Sequence, residues 1–127
     1  EACRAIGRVD LGNLHDVLRA HKTLTNIFRD TTRREKRALA SKYLHFHAPS
    51  AFFIYDAVAA KQVRKAVCLE RSKGNPDHDE AYEAFCLQCL EFRDTVLEPS
   101  TGSPASPRDV DSALLARARN ALPTPRA

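Results

Sequence analysis

The helix breakers of this chain, set against its helical spacing of apolar residues, decide most of what it can fold into. Pro removes a backbone donor and turns the residue before it away from helix. Pro49 therefore stops the helix that precedes it. Gly74 and Pro76 lie in a polar turn over residues 72–76, and residues 99–107 are rich in Pro, Ser and Gly. Between these breaks, apolar residues recur at i, i+3, i+4 and i+7, the signature of one buried helical face. No alternating, β-rich segment competes, and there is no internal repeat. The chain is predicted to be all-α, a compact bundle of about five helices.

Capping residues refine the bounds. Asp10 or Asn13 caps a first helix reaching about Phe28, with Leu14, Val17, Leu18, Leu24, Ile27 and Phe28 as its apolar residues. Asp30, Thr31 or Thr32 begins the second, where Thr32 and Glu35 have capping-box spacing, and it runs to about His47. Ser50 caps a third through Phe53 to about Glu70, or Asp56 caps a shorter one over 57–69. Asp77 caps an acidic helix to about Leu97, and the last helix runs from Pro107 or Arg108 to about Leu122, carrying Val110, Leu114, Leu115 and Ala118. This divides the chain into a helical domain over 1–98, a linker over 99–107, and a C-terminal helix and tail over 108–127. The linker lets the last helix dock on this domain or on a partner.

With 127 residues, 43% of them hydrophobic, the chain is long enough to bury a core. No apolar run approaches the roughly 18 residues of a membrane span, so a soluble domain without a membrane partner is expected. There is no Met and the sequence opens at Glu1, so a fragment or a processed chain is expected and a targeting segment stays open. The net charge of +4 is unevenly spread. From Arg29 to Lys73 eleven Lys/Arg face four Asp/Glu, whereas from Asp77 to Glu98 seven Asp/Glu face a single Arg. Such a chain presents either a polyanion-binding face or two solvated helix faces that attract one another. Cys3, Cys68, Cys86 and Cys89 suit a reducing, cytoplasmic compartment. Cys86 and Cys89 have C-x-x-C spacing but fall in the helical stripe Tyr82, Phe85, Cys86, Cys89, Phe92, Val96, which favours core packing. No further ligand stands at zinc-site spacing, so no metal and no cofactor are expected.

Residues 41–56 read SKYLHFHAPSAFFIYD and carry the most chemical information. Leu39, Lys42, Tyr43 and Phe46 follow i, i+3, i+4, i+7, which sets a lysine at the border of an apolar arc. A lysine partly withdrawn from water loses its proton more readily, and a neutral amine is what Schiff-base chemistry needs. The alternative is a snorkelling lysine whose stem covers apolar surface. Asp56 follows the apolar run Phe52, Phe53, Ile54, Tyr55 and either caps a helix or serves a site; the two roles are compatible. His45 and His47 do not share a helical face, and His45 is read as a structural group near Lys42.

This segment resembles a pattern found in many small bacterial helical proteins, S-K-x-L-H-F followed by a proline, an aromatic residue and an aspartate. It is similar, more distantly, to the catalytic core of helix-hairpin-helix DNA glycosylases of the 8-oxoguanine glycosylase type. The resemblance covers about 16 residues of the 127. It implies a reduced glycosylase-like core, with Lys42 as nucleophile and Asp56 as the aspartate that opens the following helix. It also implies DNA as partner, and an association with bacterial antiphage defence. The glycine hairpin that precedes the lysine in those enzymes is absent; Arg37-Ala-Leu-Ala-Ser41 stands there, and the interval from lysine to aspartate is shorter.

On this resemblance a nucleotide flips into a pocket near Lys42, Lys42 attacks its sugar and Asp56 stabilises the developing positive charge. Arg33, Arg34, Lys36, Arg37, Lys61, Arg64 and Lys65 are the expected phosphate contacts, and Lys61, Arg64 and Lys65 share a helical face. Tyr43, Phe46 or Tyr55 stacks on a base or packs in the core. The alternative is a non-enzymatic helical module that binds protein or nucleic acid, with Lys42 and Asp56 as a structural ion pair.

Overall fold

A computed structural model describes residues 7–32, 36–67 and 77–121. Among these the fold is all-α, without strands. Helix α1 spans Leu14–Thr32, α2 Arg37–His47, α3 Ala57–Ala66 and α4 Glu80–Phe92. The α4 rod continues through a π turn, Arg93–Leu97, into a short α5, Glu98–Thr101; α6 spans Pro107–Ala121. No helix among the described residues is long and apolar enough to cross a membrane.

The ends of these helices follow local chemistry. Asp10 and Asn13 cap α1 together, each side chain accepting from the other's backbone N–H at 3.0 and 2.9 Å. Thr32 is the last residue of α1, so α2 does not begin there, and Glu35 lies outside the described residues. Helix α2 starts at Arg37 without a side-chain cap. Ser50 begins no helix: its carbonyl accepts from the Val9 N–H, and residues 52–55 are irregular up to the Asp56 cap of α3, itself in extended backbone. Asp79, not Asp77, caps α4. Ser106 and Asp109 form a reciprocal box at the start of α6. The α4 rod runs past Leu97 because Pro99 falls in the first turn of α5, where a missing N–H costs nothing. It ends at Gly102, whose φ of 71° is the left-handed cap glycine tolerates best.

The core gathers apolar residues from every helix longer than one turn. Leu14, Val17 and Leu18 of α1 meet Leu44 of α2, Ala59, Ala60 and Val63 of α3, Tyr82, Phe85, Cys86, Cys89, Leu90 and Phe92 of α4, and Val110 and Leu114 of α6. The C-x-x-C pair is core: both thiols are free and fully buried, and burial pushes both up well beyond the usual thiol range. The last helix docks on this domain, along α3. Buried Arg93 in the π turn ties the N-terminal segment to the bundle by donating to the Val9 carbonyl at 2.6 Å.

One outcome departs from the helical wheel. Leu39, Tyr43 and Phe46 do not enter the core; they are 50%, 50% and 79% exposed. The buried face of α2 is Ala40, Ser41, Leu44 and His45. The reason is the irregular segment 52–55, which runs against that face. Its backbone groups cannot pair within a helix, so small and hydrogen-bonding side chains are needed beside it.

Candidate functional site

Three side chains hold that irregular segment. Ser41 Oγ accepts from the Tyr55 N–H at 2.8 Å and donates to the Ala38 carbonyl at 2.8 Å. His45 Nδ1 lies 2.9 Å from the Phe52 carbonyl oxygen. A carbonyl can only accept, so Nδ1 is the donor in this bond. From α4, Tyr82 donates its hydroxyl to the Phe53 carbonyl at 2.6 Å. Phe52 and Phe53 are thereby fixed in the core, at 0% and 1% exposure.

The consequence falls on the next residue in each strand of chain. Lys42 follows Ser41 and Asp56 follows Tyr55, so this hydrogen bond joins the chain segments that carry them. Asp56 Oδ1 accepts from the N–H groups of Val58 and Ala59 at 2.8 and 3.2 Å, the N-cap of α3. Its other oxygen is not used by the cap. Lys42 is exposed, which fits the snorkelling alternative and not a lysine withdrawn from water. Among the described residues Lys42 and Asp56 form no ion pair with each other or with a third group.

Helix α6 adds groups that the sequence pattern did not single out. Asp111, half-buried, lies within electrostatic reach of Asp56, His45, Arg108 and Lys42. Burial first, and then the Asp56 carboxylate, push the Asp111 carboxyl above the usual range; His45, Arg108 and Lys42 oppose this. The candidate site is thus Asp111 with the groups that bear on it electrostatically: Lys42, His45, Asp56 and Arg108. Only the docking of α6 on α3 creates it, and no local spacing announces a contact between residues so far apart in sequence.

The predicted phosphate contacts divide. Lys61, Arg64 and Lys65 are exposed on α3, and Lys36 is half-exposed before α2. Arg37 has a different job: its Nε donates to Asp79 at 2.6 Å and its guanidinium lies 5.6 Å over the Tyr55 ring. That bond joins the basic middle of the chain to its acidic helix. Arg33 and Arg34 lie outside the described residues. Tyr55 packs edge-on against Phe85, whereas Tyr43 and Phe46 remain open to solvent. Among the described residues no group of three or more His, Cys, Asp or Glu gathers where it could hold a metal ion.

No protein-family model, no curated protein and no solved structure matches the chain.

Proposed function

We propose that this protein is a DNA glycosylase/lyase-like enzyme acting on a flipped nucleotide, with Lys42 as nucleophile and Asp56 as the carboxylate that serves it. The observation that carries this is the Ser41–Tyr55 hydrogen bond, which joins the chain segments that carry Lys42 and Asp56, while among the described residues neither charge is spent on an ion pair. A fold that needed the pair structurally would have joined it. Lys42 is exposed in the free protein, so its amine is open to an incoming nucleotide.

The chemistry balances without a cofactor. The Lys42 amine gives up a proton, to Asp56 or to solvent, and attacks the sugar C1′. The bond from C1′ to the base breaks, and the base departs with the electron pair and takes a proton. That proton comes from solvent or from the Asp56 carboxyl that received the Lys42 proton. Opening of the C1′–O4′ bond then leaves an imine between Lys42 and the sugar. Lys36, Lys61, Arg64 and Lys65, with Arg33 and Arg34, hold phosphates.

Borohydride reduction tests this directly, because hydride converts the imine to a stable amine. Wild-type protein incubated with abasic duplex DNA should give a covalent adduct, and Lys42→Gln should give none. An adduct equal in both, or absent from both, rejects the reading. A second reading, a non-catalytic binding module, is favoured by the exposure of Leu39, Tyr43 and Phe46. It predicts binding without an adduct.

A further inference from the structure

The outward face of α2 carries a row of rings. Phe28 of α1 meets Tyr43 at 6.3 Å between centroids, Tyr43 meets His47 at 4.5 Å, and His47 meets Phe46 at 5.4 Å. The row ends at Phe46, which is 79% exposed. Burying an aromatic side chain is among the largest apolar gains in folding, so leaving one in water forfeits a stabilisation the fold could have had. Lys42 stands on the same face, between Leu39 and Phe46 by helical spacing. Helix α2 has no acidic residue at all, and Lys36 precedes it. Rings and cations without carboxylates suit a strand whose bases are flat and whose backbone is anionic.

We propose that Tyr43 and Phe46 form a stacking platform for unpaired DNA bases, with Lys42 and Lys36 beside the phosphates. This rests on the nucleic-acid reading above and adds to it the form of DNA recognised: bases out of the duplex stack, single-stranded or next to an extruded nucleotide. A protein partner would satisfy the apolar rings equally, but phosphates also answer the cations of a helix that carries no acidic residue of its own. Base stacking tolerates any sequence, since every base has a π-face, so no sequence preference is expected.

The full chain is titrated with a fluorescein-labelled oligo-dT by anisotropy, with inorganic polyphosphate as a charged probe lacking bases. Phe46→Ala should weaken oligo-dT binding roughly tenfold and leave polyphosphate binding and the salt slope unchanged. Phe46→Trp should keep the affinity, and its fluorescence, the only tryptophan signal in this Trp-free chain, should be quenched by the oligonucleotide. Because Phe46 is exposed, circular dichroism should show both variants folded. Unchanged affinity of Phe46→Ala overturns the platform, even if wild type forms the borohydride adduct. Loss of affinity in Phe46→Ala, with no adduct from wild type, keeps the platform and rejects the enzyme. A wild-type dimer that Phe46→Ala converts to monomer overturns the platform, because a second copy then covers this face.

Discussion

Around Arg37 and around Lys42 the molecule carries two clusters built from the same kinds of group. Each has a carboxylate at a helix N-cap, a histidine bonded to a backbone carbonyl, and a cation on α2. In the first, Asp79 caps α4 through the Tyr82 N–H at 2.9 Å and also meets Arg37 Nε at 2.6 Å. His21 lies 3.1 Å from the Arg37 carbonyl and stacks on Tyr82 at 3.8 Å. Asp79 and His21 are buried, at 4% and 0% exposure. In the second, Asp56 caps α3 and His45 binds the Phe52 carbonyl, yet Lys42 and Asp56 do not close on one another. Matched composition has two outcomes. Where opposite charges close on one another the cluster serves the fold; where the fold leaves them apart they remain open to a ligand. A perturbed or well-placed ionisable group is therefore informative only together with what it is already bonded to.

Removing the two cap carboxylates should separate the clusters most clearly. Asp79→Ala loses a helix cap worth about 1 kcal/mol and the short ion pair of a buried carboxylate with Arg37, for a total of about 2–4 kcal/mol. Asp56→Ala should lose only the cap, about 1 kcal/mol. Urea denaturation of both variants measures the difference. Equal losses would mean that the fold depends on Asp56 as much as on Asp79, and would break the contrast.

Acid offers a second way in. Burial lowers the His21 pKa to about 4 from 6.5, outweighing the bond to the Arg37 carbonyl and the nearby Asp79. A group whose folded pKa is depressed holds its full contribution above the unfolded pKa. Stability is therefore present above pH 6.5 and lost as pH falls from 6.5 to about 4, by on the order of 3 kcal/mol. The Arg37 guanidinium holds Asp79 below its usual range against the cost of burial, so a further loss follows as pH drops below 3.8. Thermal unfolding between pH 7 and pH 4 should show this decline, and His21→Gln should flatten it. A slope that persists in His21→Gln would place the titration elsewhere.

How much of the molecule is legible in its sequence depends on range. The all-α class, the core role of Cys86 and Cys89, and the apolar stripe of α4 follow from local periodicity, and the structure has them. Helix α2 misleads because two i, i+4 sets coexist on it. The larger, more apolar set, Leu39, Tyr43 and Phe46, looks like the core face by hydropathy. The face that is buried uses Ala40, Ser41, Leu44 and His45, because an irregular segment beside it demands donors, acceptors and little bulk. Ser41 is visible in the sequence as the first letter of a motif, without its reason: it is the clamp that holds the Tyr55 backbone against α2. Asp111 and Arg108 give no signal, since their place in the cluster depends on α6 folding back on α3.

The smallest expected change in stability carries the sharpest test of the contrast. Asn caps a helix about as well as Asp, since its Oδ1 accepts the same backbone N–H bonds. Asp56→Asn should therefore keep the bonds to Val58 and Ala59 and shift unfolding by less than about 0.5 kcal/mol. What it removes is the carboxylate charge. With that charge gone, the adduct formed by borohydride on abasic DNA should fall at least tenfold, while binding of the same DNA stays within about twofold of wild type. The parallel change Asp79→Asn spares its cap in the same way but uncouples Arg37, so it should destabilise the protein and leave the adduct intact under conditions where it is folded. If Asp56→Asn is as destabilising as Asp79→Asn, the Asp56 charge belongs to the fold. If it is harmless to both stability and adduct, Asp56 is a cap and nothing more, and Lys42 acts without it.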